Sequence, residues 1–213
     1  DGDGSRPIAL MPMLYRLWTK IRKPYLTAWE IVSAGEWDAA RTGSSALRAA
    51  CLSLFQDELH VLLGEYAVAI LWDMEKFYDN VLVQILIPEV EASEYPVRLG
   101  YMGLVMHMAP RVLRGYNHHE ICDDPTNAII AGCTQSTYFA KVMFRRVIQS
   151  HLGRVSKQNL RTFIDDIAQR FYGSRQRVID KAVECGADLA KCQACRDGGT
   201  CLPVPACLTG LGC

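Results

Sequence analysis

Leu160-Arg161-Thr162-Phe163-Ile164-Asp165-Asp166-Ile167-Ala168-Gln169-Arg170-Phe171-Tyr172 is the stretch on which the fold turns. Leu160 to Ile164 and Ile167 to Tyr172 read as two short strands, rich in β-branched and aromatic residues, with two acids at their junction. A tight turn there projects adjacent carboxylates from one point. In an otherwise apolar strand environment they repel, which costs stability or raises a pKa unless a cation intervenes. Asp-Asp is also common turn chemistry, so the pair alone leaves both readings open.

Working outward, Tyr66 to Trp72 is apolar on both faces and predicts a central buried strand running into Asp73. Asp73 at a strand end suits metal ligation. It equally suits an N-cap before Met74-Glu75-Lys76. Nucleotidyl transfer needs little covalent chemistry from a protein. It needs two divalent ions about 3.5–4 Å apart that clamp the attacking and leaving oxygens. Mg²⁺ prefers hard oxygen ligands and keeps several waters, so two or three aspartates plus substrate phosphates suffice. Rigid strand ends hold such groups best.

The rest of the chain is helix-rich. Arg6 to Met11 reads as an extended lead-in, because Pro7 and Pro12 disfavour helix just before them. Leu14, Leu17, Trp18 and Ile21 recur at helical spacing, interleaved with Arg16, Lys20, Arg22 and Lys23. Pro24 is expected to break or kink that helix, with the pattern resuming through Trp29 and Ile31. Ala46 to Leu63 predicts a helix with Leu47, Ala50, Leu54 and Leu62 on its apolar side, stopped by Gly64. Asp79 to Val90 and Val97 to Met108 predict two further helices, and Arg111 to Ala131 short strands and a loop. Ser136 to Leu152 predicts a helix with Phe139, Met143, Val147 and Ile148 on one side. Gly173-Ser174 begins a last helix carried by Val178, Ile179, Ala182, Val183 and Leu189. Strands set between helices point to an α+β domain with helices packed on one face of a small sheet.

Composition sets limits. The 213 residues can bury a real core, and 50% apolar with 22% charged is ordinary for a globular chain. Net charge is zero, whereas free-standing nucleic-acid binders are usually basic, so any polymerase reading must rest on motifs. No run of 18 apolar residues and no signal-peptide pattern is found, and no membrane partner is expected. Nine cysteines, five of them from Cys192 onward, are odd in number and argue against a secreted disulfide framework.

At this point the residues resemble a known family. Asp73-Met74-Glu75-Lys76-Phe77-Tyr78-Asp79-Asn80-Val81 is similar to the first catalytic motif of reverse transcriptases, above all those of non-LTR retrotransposons. Phe163-Ile164-Asp165-Asp166 resembles their aromatic–x–Asp–Asp motif, and Arg6-Pro7-Ile8 their fingers motif. Gly43-Ser44-Ser45 and Ala131-Gly132-Cys133 stand where the family has its stretches before and after the first acid motif. The five segments run in family order over roughly residues 6–190, with 92 positions from Asp73 to Asp165.

The resemblance implies the palm of a right-hand polymerase over 66–191, partial helical fingers over 1–65 and an irregular Cys/Gly/Pro-rich tail over 192–213. It implies RNA-directed DNA polymerase activity with two Mg²⁺ ions (Mn²⁺ as a possible substitute), dNTP and a primed RNA or DNA template. It also implies an intracellular protein, nuclear in a eukaryotic retroelement. By the same resemblance Asp73 and Asp165 would ligate the metals, Asp166 would support them, and the backbone carbonyl of Met74 would face one. Tyr78 would exclude a ribose 2′-hydroxyl, Arg6 would clamp the triphosphate, Gly132 would let the backbone approach the nucleotide, and Phe163 would pack beside the primer end.

The sequence departs from the family in places. The middle motif lacks Pro-Gln-Gly, with Ala131 where glutamine often stands, and Lys191 and Lys181 are rival candidates for a lysine near pyrophosphate. A truncated, inactive or domesticated palm serving as a binding or scaffold module is the alternative. Cys192-x-x-Cys195 with Cys201 and Cys207 could hold zinc, but the second pair lacks the usual short spacing. His118-His119-Glu120 reads as a polar loop, since adjacent strand residues point to opposite faces. Met102, Met106 and Met108 read as core filling.

Overall fold

A computed structural model describes residues 10–74, 76–115, 118–123, 125, 127–153 and 160–194, apart from the side chains of 113 and 188–194. Its elements run α1 (Met13–Ser33), α2 (Ala46–Leu62), β1 (Tyr66–Trp72), α3 (Phe77–Asn80), α4 (Val83–Ala92), α5 (Val97–Met108), β2 (Arg111–Arg114), β3 (His119–Cys122), α6 (Ser136–Leu152), β4 (Leu160–Phe163), β5 (Asp166–Gly173) and α7 (Arg175–Ala194). The architecture is α+β, as the alternation of elements predicted. Two compact units interleave in sequence: one holds 10–32 and Lys76–Met143, the other 33–74 and the residues from Phe144 on.

The second unit is built on a three-stranded antiparallel sheet of order β1-β5-β4. Trp72 pairs with Ile167, and Phe163 pairs with Asp166 across a two-residue turn. Paired residues share a face, so alternation sorts the sheet cleanly. Ile70 and Phe171 lie on one face, where Val178, Ala182 and Cys185 of α7 pack against them. Arg170 and Tyr172 lie on the other, where both reach Asp57 of α2, at 3.2 and 2.8 Å. The expected helix-covered face is therefore that of α7, and α2 adds polar contacts to the opposite one.

Among the described residues β1 is an edge strand rather than a central one, and Tyr66 and Leu71 are exposed while Trp72 is buried. The leucines read for the apolar side of α2 are exposed rather than packed on the sheet, as Leu47, Leu54 and Leu62 show, whereas Ala50 lines a cavity toward the sheet and Ser53 is the helix's buried residue. The partners of Asp57 in β5 set the helix's rotation, overriding its own aliphatic stripe. Its ends agree with the reading: Ser45 caps it by accepting from the Arg48 amide at 3.2 Å, and Gly64 follows with φ +79°.

In the first unit α1 runs through Pro24 without a break. Pro24 is exposed, so water can satisfy the carbonyl it leaves without a partner one turn earlier. The single helix expected over Asp79 to Val90 is divided into α3 and α4, because Leu82 is drawn into a bridge with Asn127. Trp29 stacks edge-on against Tyr95 at 4.9 Å and bonds the Ser93 carbonyl, tying α1 to the α4–α5 connection. Lys141 of α6 and Glu30 of α1 form a buried ion pair. Gly103 lets α5 lie close on α6, since a Cβ there would stand 2.7–2.8 Å from Gln135 and Phe139. The buried stripe of α6 is as read: Phe139, Met143, Val147 and Ile148 are all inside. Of the three methionines, Met102 and Met108 are exposed, and Met106 packs beside the Met11–Tyr15 cluster.

Candidate polymerase active site

Asp73 follows Trp72 directly, and Trp72 pairs with Ile167, so one further step along the antiparallel register brings Asp73 alongside Asp166. Asp166 in turn pairs with Phe163, and Asp165 occupies the turn between them. Ile164, the first turn residue, has φ +60°. That left-handed value matches the twist of tight hairpins. It is unusual for a β-branched side chain, a strain of roughly 1–3 kcal/mol held by the flanking pairs. Asp73 and Asp166 are exposed, Asp165 and Phe163 half-buried, and the Met74 side chain is buried.

Electrostatics tie the three acids together. The Asp166 carboxyl is pushed above the ordinary carboxylate range, first by partial burial and then by the charges of Asp165 and Asp73. Behind them runs a buried polar relay. Trp72 Nε1 donates to Gln169 Oε1 at 2.9 Å, and Gln169 Nε2 meets His151 Nε2 at 2.7 Å. This relay pins the β1–β5 register one residue before Asp73.

Asp73 and Asp166 open onto a cavity of about 410 Å³ between the sheet and α2. Asp73, Phe163 and Asp166 line it together with Arg161 and Arg170, and α2 contributes Ala46, Ala49, Ala50 and Ser53. The sequence reading missed the two arginines. Their signal was strand parity: Arg161 and Arg170 share the face of Phe163 and Asp166. Arg170 bonds Asp57, and Arg161 reaches Gln56 of the same helix at 3.4 Å.

The donor set suits a hard divalent cation, since it consists of mutually repelling carboxylate oxygens. Among the described residues no group of three or more His, Cys, Asp or Glu forms a metal cage. Mg²⁺ is commonly held by one or two carboxylates plus substrate phosphates, so the set fits an ion that arrives with its nucleotide.

The structure places Tyr78 and Gly132 in the first unit. Tyr78 is half-buried in α3, stacked edge-on with Phe77, and its carbonyl accepts from the Ile129 amide at 2.9 Å. Gly132, three residues further on, has φ +90°, which favours glycine. Arg6 lies outside the described residues, as do Cys195, Cys201 and Cys207 of the zinc reading. His118, His119 and Glu120 are exposed. On α1, Arg16, Lys20 and Lys23 are exposed, whereas Arg22 lies over the Trp18 ring at 4.8 Å.

No family model and no curated protein matches this chain. Solved structures do share its fold. A telomerase from Candida tropicalis, truncated from its C-terminal domain, aligns with a TM-score of 0.54 at 10% identity over 79% of this chain and 36% of its own. The telomerase from Candida tropicalis in complex with a TWJ fragment of telomeric RNA aligns with a TM-score of 0.57 at 10% identity, over 87% of this chain and 36% of its own. The chain thus spans about a third of the length of those proteins. Telomerase is a polymerase of the reverse transcriptase type, and the likeness shows a fold of that general kind, not a retrotransposon subtype. Among the described residues no helix is long and apolar enough to cross a membrane.

Proposed function

We propose that this chain is the palm-bearing core of an RNA-directed DNA polymerase, of the non-LTR retroelement type, that adds deoxynucleotides to a primer. The observation that carries the reading is the convergence of Asp73 and Asp165 on Asp166 at the ends of three adjacent strands. Asp73 and Asp165 would hold two Mg²⁺ ions (Mn²⁺ as substitute), with Asp166 and the Met74 carbonyl in support. Bound ions would neutralise phosphate charge and orient the in-line displacement. The chain's own residues bind and orient. Phe163 flanks the acids for the primer end. Tyr78 sets the room beside the sugar, Gly132 allows close backbone approach, and Arg6 offers a bidentate donor to the triphosphate. The telomerase with its RNA fragment supports nucleic-acid binding by analogy of fold.

The test is dNTP incorporation on a primed RNA template by the chain with its natural flanks, with Mg²⁺ and with EDTA. Wild-type protein extends the primer only with the metal. Asp73→Ala and Asp165→Ala each lose about a hundredfold or more, the equivalent of roughly 3 kcal/mol at the transition state. Full activity in Asp165→Ala sinks the assignment. A second reading, a non-catalytic binding or scaffold module, is favoured by the departure of the middle motif, where Ala131 stands in place of the family's usual glutamine. It predicts primer–template binding with no incorporation under any divalent ion.

A further inference from the structure

Residues 127–130 form no helix or strand beyond one bridge, yet hydrogen bonds hold them on both sides. On one side stands the end of α5. His107 is fully buried, and its Nδ1 accepts from the Ile130 amide at 2.9 Å. The Arg111 guanidinium donates to the carbonyls of His107, Ala128 and Asn127 at 2.8, 3.0 and 3.3 Å. Ser136 Oγ adds a bond to the Ile130 carbonyl at 2.7 Å. On the other side the Ala128 and Ile129 amides donate to the carbonyls of Val81 and Tyr78, both at 2.9 Å. Ala128 is meanwhile held at φ +74°, a strained value for a non-glycine residue.

We infer that His107 and Arg111 are positioning residues that clamp residues 127–130 and thereby set the place of Tyr78 and Gly132 for nucleotide selection. The inference rests on the polymerase reading for its consequence, though not for its geometry. A histidine kept only to fill space would tolerate an apolar ring. Here an apolar ring strips the Ile130 amide of its acceptor inside the core, and an unmet buried donor pulls the backbone toward a new arrangement. Because Nδ1 accepts, the ring is neutral with its proton on Nε2. Burial, and secondarily the Arg111 charge, hold its pKa down to about 4, so the acceptor persists at neutral pH.

Three variants test this. His107→Phe fills the volume with no acceptor. His107→Asn offers Oδ1 where Nδ1 stood. His107→Gln, with its carbonyl displaced, replaces the Phe variant if circular dichroism shows that one unfolded. Two readouts are taken: hydrogen exchange at the Ile129 and Ile130 amides, and the ratio of kcat/KM for dATP over ATP. The expected result for His107→Phe is about tenfold faster Ile130 exchange, the effect of one lost hydrogen bond. The dATP preference should fall at least about threefold through KM, with kcat nearly unchanged. His107→Asn should restore both. Unchanged exchange in His107→Phe overturns the clamp. Faster exchange with an unchanged dATP preference overturns its positioning role. If wild-type protein incorporates nothing, the polymerase reading fails by itself. The inference is then decided by the dATP-to-ATP ratio of Kd in wild type and His107→Phe, and equal ratios overturn it.

Discussion

Asp166 is where the chemistry of the site is most exposed to test. Its carboxyl is pushed up by partial burial and by the neighbouring charges of Asp165 and Asp73. A raised folded-state pKa means that the native protein takes up a proton before the unfolded chain does. Stability therefore rises as pH falls through the raised value toward the ordinary one, and above it the charged group carries a penalty. A divalent cation relieves the same repulsion at neutral pH. Without divalent ions at pH 7, Asp166→Asn should raise Tm by roughly 1–2 °C, a modest figure because the group is well exposed. Mg²⁺ should stabilise wild-type protein more at pH 7 than at pH 5. Thermal melts at the two pH values check both points, and an equal Mg²⁺ increment in wild type and Asp166→Asn removes Asp166 from the cation's surroundings. The identity of this residue was legible early, because two acids between two β-rich runs leave few other arrangements. Its coupling to Asp73 was expected only through the family resemblance, because no local pattern records the pairing of β1 with β5 on which it depends.

At the scale of elements, strands and helices followed from local chemistry wherever one face was decisively buried. In α6, Phe139, Met143, Val147 and Ile148 point inward as their spacing predicts. α2 shows the opposite case. Its leucines form a plausible inner face, yet Asp57 on another side bonds Arg170 and Tyr172, so polar partners more than a hundred positions away chose the rotation. β1 reads as central because it is apolar on both faces, but strand order is not a local property, and it lies at the edge. Arg161 and Arg170 escaped notice because their parity matters only once the hairpin's facing is known. The Trp72–Gln169–His151 relay was equally invisible, being made of three residues from three elements. Gln169→Leu would leave the Trp72 N–H buried without its acceptor and remove one hydrogen-bond partner of His151. The expected cost is roughly 2–4 kcal/mol in urea unfolding. A loss below about 0.5 kcal/mol for Gln169→Leu shows that the relay does not hold the register.

For the whole molecule, zero net charge means that any affinity for nucleic acid must come from local patches. On α1 the exposed Arg16, Lys20 and Lys23 recur at spacings of four and three, on one side of the helix. Three phosphate contacts there predict that log K for a primer–template duplex falls with log salt at a slope of about −3, and that Lys20→Glu reduces the slope by about one. Anisotropy titrations across a series of KCl concentrations measure it, and a slope unchanged by Lys20→Glu rules out contact through this stripe. The sequence by itself determined the α+β class, the hairpin with its acid pair and most helix boundaries, because periodicity, caps and turn residues act within a few positions. Only the tertiary structure decided that Asp73 meets Asp166 across 92 and more residues of chain, and that His107 grips Ile130. It also decided that Asp73 and Tyr78, five positions apart, belong to different compact units. The physical reason is common to all three. Strand register, helix rotation and buried hydrogen-bond partners are settled by surfaces that meet only after the chain has folded back on itself, and no local pattern records which surfaces those will be.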